Sequence, residues 1–365
     1  MARPSSHRPA RFSSCFFSLV SALVTVSSLV PSPLRAAEIF TLIQTYPLDF
    51  GDLYSTGRQA ALGYAELAST EGMGGLWSNP GAPLASGATV ESGVAIAGDL
   101  PNRADVDVRA VGGSVTWSHI RIALAARGYS YDQEAFTVAP GPPPTIEFSR
   151  REVAAGAAID LGHFLGVDDR LGLSVGAAWR HRAEEIGGTE DDDSEVTTTP
   201  VDFGASGTWF DRLGSMNGGI AVSAVLLNAF GADFELGARQ LEHVRGLRLG
   251  TTVSLEFDPD EGGRVPLAGQ LATAMTRQFG DVDRTVWHVG VEVVLASHVF
   301  LRGGHEDLTS ASTWSYGAGL RYALRRGLTP LDEVAVALEW TRQDFDLSLA
   351  ERSIDTWGAR LGVAF

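Results

Sequence analysis

Five charged residues in the second half of the chain, Glu292, Arg302, Arg321, Glu339 and Arg360, sit at matching positions in successive short segments of alternating polarity. In each segment they occupy the side opposite the apolar residues. Charges of both signs on neighbouring strands can pair across the space they share and so fill an enclosed lumen. They can also form a ring that selects ions by charge. Pairing is the simpler reading, and both remain open at this level.

Other reactive side chains do not assemble into a catalytic pattern. The histidines His119, His163, His181, His243, His288, His298 and His305 are scattered singly. His305-Glu306-Asp307 sets an imidazole beside two carboxylates in an expected outer loop, with no partnered serine visible in the sequence. Neither G-x-S-x-G nor H-E-x-x-H occurs, so the signatures of a serine hydrolase and of a zinc protease are missing. The chain is expected to be noncatalytic and to need no cofactor. Glu190, Asp191, Asp192, Asp193 and Glu195 form an acidic loop that could attract divalent cations, but a solvated loop is the expectation. Asp258-Pro259-Asp260-Glu261-Gly262 lacks the ligand positions of a calcium loop, and no metal site is expected. A formal net charge of -16 with no basic stretch argues against nucleic acid as a partner, because phosphate binding needs concentrated Lys and Arg.

Residues 1–37 read as a secretory signal. Arg3, Arg8 and Arg11 precede an apolar run from Phe16 to Val30, and Ala36 and Ala37 supply a small-residue cleavage site. The only cysteine, Cys15, lies ahead of that run, so the mature chain is expected to carry no thiol, no disulfide and no Cys-ligated metal.

Beyond the signal no apolar stretch is as long as a membrane helix. From about residue 88 onward, segments of roughly ten to fourteen residues alternate with period two, the pattern of a transmembrane barrel. In the last one, Trp357, Ala359, Leu361, Val363 and Phe365 share a face, with Gly358, Arg360, Gly362 and Ala364 on the other. Fourteen such segments are expected at 88–98, 105–118, 119–131, 145–160, 170–183, 198–210, 215–228, 245–258, 264–277, 283–296, 297–306, 312–325, 332–343 and 353–365. An even number suits a closed antiparallel barrel in an outer membrane, with lipid around it. Long connections at 132–144, 184–197 and 229–244 against two-residue turns at Ser118-His119 and Ala296-Ser297 give the expected contrast between outer loops and periplasmic turns. In the segment 105–118 the apolar phase changes sides near Gly112-Gly113, as a β-bulge would make it do.

Residues 38–87 lack this alternation and are expected to form a short hatch or plug. They contain Gly57-Arg58-Gln59-Ala60-Ala61-Leu62-Gly63-Tyr64-Ala65-Glu66-Leu67-Ala68, then Gly74-Gly75-Leu76-Trp77-Ser78-Asn79-Pro80-Gly81-Ala82-Pro83-Leu84. Asn79-Pro80-Gly81 is a turn, with Pro fixing one dihedral and Asn able to bond the local backbone. These runs resemble the N-terminal signature of the FadL-like outer-membrane barrels, in particular the PorV/PorQ branch. Val289-Gly290-Val291-Glu292, Val299–His305, Tyr316–Tyr322 and Leu227-Asn228-Ala229-Phe230-Gly231 are similar to that branch's paired strands. Gly81, where the family has Ala, and Ser78 before the Asn depart from the pattern. The resemblance implies a hatch inside the periplasmic mouth and passive passage of small hydrophobic molecules, with Leu62, Leu67, Met73, Leu76 and Trp77 as the apolar contact set. It also implies that a kink at Gly112-Gly113 opens the wall sideways. The PorV branch implies a different use, the binding or shuttling of secreted cargo proteins in type IX secretion.

Overall fold

The computed structural model describes residues 57–67, 73–84, 87–97, 103–134, 145–167, 170–187, 194–213, 216–231, 233–236, 239–242, 245–257, 266–279, 284–308, 311–325, 333–347 and 350–364. The expected signal, Cys15, Glu190–Asp193, Asp258–Gly262 and Phe365 lie outside them.

Two short helices, α1 (Gly57–Ala61) and α2 (Met73–Ser78), precede the strands. Fourteen strands then form one closed antiparallel barrel. They are β1 (Gly87–Ala97), β2 (Arg103–Trp117), β3 (Ile120–Glu134), β4 (Thr145–Asp160), β5 (Leu171–Gly187), β7 (Val201–Leu213), β8 (Met216–Leu227), β11 (Arg245–Phe257), β12 (Leu267–Phe279), β13 (Arg284–Leu295), β14 (Val299–Leu308), β15 (Ala311–Arg325), β16 (Glu333–Leu347) and β17 (Ala350–Ala364). Each pairs with its neighbours in sequence, and β1 closes the ring on β17. Three shorter strands extend the loops: β6 (Ser194–Thr198) adds to β5, and β9 (Asp233–Leu236) pairs with β10 (Arg239–Glu242). A short helix, α3 (Leu161–Leu165), fills the connection from β4 to β5.

The barrel is inside out relative to a water-soluble protein. On β3, Ile122 and Leu124 are 60% and 61% exposed, while Ala123 and Ala125, which alternate with them, are buried. The same alternation exposes Val222, Val291, Leu301, Leu338 and Trp357 and buries Arg127, Glu152, Asp202, His288, Glu292 and Gln343. Polar side chains inside and an apolar band outside suit strands that cross a bilayer. Aromatic residues gather toward both ends of the band, with Trp117, Phe257 and Tyr322 at one and Trp179, Trp287 and Trp314 at the other. No helix among the described residues is long and apolar enough to span a membrane. The strands do the spanning, and at 10 to 17 residues each is long enough for the roughly nine to eleven that a tilted strand needs. The chain is a transmembrane β-barrel of the outer-membrane type.

The tight turns sit at the end where β1 begins and β17 finishes, the periplasmic rim. Ala296 and Ser297 both take positive φ, +53° and +58°, the backbone of a two-residue hairpin turn whose twist matches the strands.

Two local expectations are corrected. The β2 pairing runs unbroken through Gly112 and Gly113, which face Ala125 and Leu124 on β3 and Glu91 and Val90 on β1. The register shift of this strand lies between Ala104 and Asp107. Val111, Val115 and Trp117 accordingly share the outer face on both sides of the glycine pair. In addition, His305-Glu306-Asp307 belongs to β14, not to a loop, because the strand continues to Leu308 against β15.

Candidate functional site

The described parts of the N-terminal segment lie inside the barrel against inward-facing wall residues. Its most tightly bonded point is the turn after α2. Asn79 is fully buried; its amide donates to the Leu67 carbonyl at 2.7 Å and to Ser206 Oγ at 2.8 Å, and its Oδ1 accepts from the Gly81 N–H at 2.9 Å. From the wall, Arg121 on β3 donates to the Pro80 carbonyl at 2.8 Å and Ser174 on β5 donates to the Gly81 carbonyl at 2.7 Å. The turn can come this close because the facing wall positions on β5 and β7 are Gly176 and Gly204. A Cβ on Gly204 would collide with Asn79 and Gly81. Asn79-Pro80-Gly81 is thus more than an elbow: it is bonded to three strands.

A second contact is made by the end of α1. Gly63 has a φ of +58°, turning the chain back after the helix, and its carbonyl lies 3.0 Å from His288 Nδ1 on β13. Leu62 and Gly63 rest on Gly290 and Gly304, where side chains would strike the backbone of the segment. Within the segment, Gln59 donates to the Gly74 carbonyl at 3.0 Å and ties α1 to α2.

Beside this contact lies a chain of ion pairs. Arg58 donates to Glu292 at 3.0 and 3.3 Å and pairs with Glu66 at 2.9 Å; Arg302 joins Glu292 at 2.6 Å and Glu339 at 2.5 Å. The structure therefore brings together three of the five charges singled out in the sequence, Glu292, Arg302 and Glu339. Arg321 and Arg360 occupy the inner face one pair nearer the rim, on either side of Ala337. The member that sequence reading missed is Arg58, because a residue outside the alternating segments has no phase to follow.

The apolar set divides. Leu62 and Leu67 are buried against the glycines of β13, β14 and β11. Met73, Leu76 and Trp77 form one cluster with Ala110, Ala123, Ala125, Ala154 and Ala178, a patch of wall alanines on β2 to β5. Met73 also approaches Gly112, where a Cβ would sit 2.9 Å from its Cγ. That explains Gly112 by packing and not by a break in the strand.

Just beyond this patch, away from the rim, is a second ionic network that the sequence did not announce. Arg127 binds Glu152 at 2.6 Å with its guanidinium 4.0 Å from the centre of the Trp77 ring. Arg180 pairs with Asp202, and Arg150 with Glu184 at 2.5 Å while lying over Tyr129. Arg180 and Arg182 stand 3.6 and 3.5 Å from Glu152. The inward phase of β3, β4, β5 and β7 could have identified these residues.

On the rim side, a cavity of about 490 Å³ opens between β7, β8, β11, β12 and β13, lined in part by Arg170, Phe210, Asn217, Ser254, Gln270 and Glu292. Its inner end is the Glu292 carboxylate that holds Arg58. The site thus has an apolar patch shared by α2 and the wall alanines, ion pairs on its outer side, and a vestibule of mixed lining that reaches the ion-pair chain from the rim. No cluster of acidic, His or Cys side chains fit to hold a metal ion is present among the described residues.

No family model and no curated protein matches the chain. Among solved structures it is similar to the CymD monoaromatic hydrocarbon channel, at 10% identity and TM-score 0.46 over 86% of this chain and 98% of that one. It is also similar to the Ralstonia pickettii toluene transporter TbuX, at 10% identity and TM-score 0.47 over 85% and 98%. A Pseudomonas aeruginosa FadL homologue matches at 10% identity and TM-score 0.43 over 85% and 96%.

Proposed function

We propose that this protein is a FadL-like outer-membrane conduit for the passive passage of small hydrophobic molecules, with the residue 38–87 segment as its hatch. The observation that carries the reading is the cluster of Met73, Leu76 and Trp77 on wall alanines. A lumen lined by ion pairs has no need of an apolar patch for filling, whereas a hydrophobic solute crossing it does, because each apolar area removed from water contributes about 25 cal/mol per Å². The wall half of the patch is made of the smallest apolar side chain. A displacement of α2 by one side-chain width opens an alanine-lined slot where a solute replaces Leu76 or Trp77. Leu62 and Leu67 then act as packing that seats the hatch, and Met73, Leu76 and Trp77 as the contact set.

The test is uptake of a radiolabelled monoaromatic hydrocarbon and of a long-chain fatty acid by cells that make the barrel, compared with cells that do not. Faster uptake of either, lost with Leu76→Ser and Trp77→Ser while barrel assembly persists, is the expected result. Equal uptake with and without the barrel overturns the proposal. Mild extraction followed by mass spectrometry gives the opposing outcome: secreted proteins sharing a C-terminal domain, with no small ligand, would point to the PorV-like handling of cargo.

A further inference from the structure

The periplasmic rim between β2 and β5 carries a feature that a conduit for hydrophobic molecules does not require. β4 ends at Asp160, whose carboxylate caps α3 by accepting from the His163 N–H at 3.3 Å. Gly166 closes the helix in the left-handed conformation, φ +63°. Gly162 is buried and packs tightly on the Leu173 amide and the Leu171 carbonyl, so α3 lies along the β5 edge that β4 has left. On its other flank the rings of His163 and His119, the latter from the β2–β3 turn, stack with centroids 3.4 Å apart and 9° between planes. Phe164 meets both edge-on, at 5.5 and 6.4 Å.

A five-residue helix has no stability of its own, so the cap and the imidazole stack are what hold it. They hold it with Phe164 and Leu165 63% and 66% exposed. Left in water, two large apolar side chains forgo the stabilisation that burial gives. The strand ends that flank the helix and the His119 turn are exposed and apolar: Trp117 is 80% exposed, Ile120 48% and Leu171 46%. The exposed helix face thus continues a surface already turned to the bilayer, and it does so at the depth of an aromatic girdle. Polar groups at that level, Asp160 and the two imidazoles, match an interface where apolar and hydrated layers meet.

We propose that α3 is a membrane anchor, with Phe164 and Leu165 inserted at the boundary of headgroups and acyl chains in the periplasmic leaflet. It fixes the rim of β2 to β5, the strands whose alanines receive α2.

Site-directed spin labelling tests this directly, because Cys15 is the only cysteine in the chain. In a Cys15→Ser background, a nitroxide on Phe164→Cys is measured in vesicles of phosphatidylethanolamine and phosphatidylglycerol, by power saturation with oxygen and with a water-soluble nickel complex. Two references bracket the result: Ile122→Cys in the apolar band and Glu256→Cys at the mouth of the lumen. The expected oxygen-to-nickel accessibility ratio is shifted toward that of Ile122→Cys. A ratio matching Glu256→Cys means that the helix faces the periplasm, where a protein partner could cover it, and overturns the anchor. Should Phe164→Cys fail to assemble, Leu165→Cys carries the same label and the same two outcomes.

Discussion

Arg58 and Glu292 are 234 residues apart in the chain and meet inside the barrel through two hydrogen bonds, of 3.0 and 3.3 Å. Glu292 accepts on the same carboxylate from Arg302, which reaches on to Glu339. One wall carboxylate therefore joins α1 to two neighbouring strands, β13 and β14.

Removing that carboxylate leaves two guanidinium groups in a buried site without their shared acceptor, and breaking a buried pair from one side costs about 3 to 5 kcal/mol. Glu292→Ala is expected to lower the unfolding free energy by about that amount, measured by urea titration of the refolded barrel in detergent. Adding Arg58→Met is expected to cost less in this background than it does alone, because the Arg58–Glu292 bonds are already gone. Additive losses in the double variant would show that the two residues are not coupled.

Asn79 uses its amide and its carbonyl oxygen for three bonds at a position with no solvent access. Asn79→Ala strands the Leu67 carbonyl and the Gly81 amide, each worth about 1 to 3 kcal/mol when left unsatisfied. The expected readout is protease cleavage in the hatch under conditions that leave the wild-type segment intact. An unchanged digestion pattern would mean that Arg121 and Ser174 hold the turn without it.

Gly304 faces the backbone of Ala61, Leu62 and Gly63 so closely that a Cβ has no space. Gly304→Val is expected to expel α1 from the wall while the strand ladder remains, since Val suits a β-strand. In planar bilayers the variant should then conduct ions more readily than the wild type. Conductance equal to the wild type would show that α1 does not narrow the lumen.

Trp77 is buried against alanines with the Arg127 guanidinium 4.0 Å above its ring. Trp77→Ala removes the packing and the cation–π contact together, at a cost of about 3 to 5 kcal/mol. Trp77→Phe keeps an aromatic face and is expected to retain most of the stability. If both variants were equally unstable, the indole edge and not the ring face would be what matters.

The architecture was legible in the sequence because strand side chains alternate with a period of two, and a barrel wall has only two environments. Val334, Val336, Leu338 and Trp340 against Ala335, Ala337 and Glu339 give the inner and outer faces of β16 without coordinates. All fourteen barrel strands lie where that alternation runs, with ends displaced by at most four residues. The same phase placed Glu292, Arg302 and Glu339 on the inner face, where the structure joins them. Periodicity carries no information about which inner residue a hatch residue touches. Arg58 finds Glu292, Asn79 finds Ser206 and Gly63 finds His288 only when the ring has closed and the segment is inside it. The glycines illustrate the division: Gly112, Gly204 and Gly304 are visible in the sequence as gaps in the inner face, and a gap in one strand can mean a bend, a bulge or an approach. The tertiary structure decided for approach, because the atoms that come up against each gap include those of the N-terminal segment, which local periodicity cannot place.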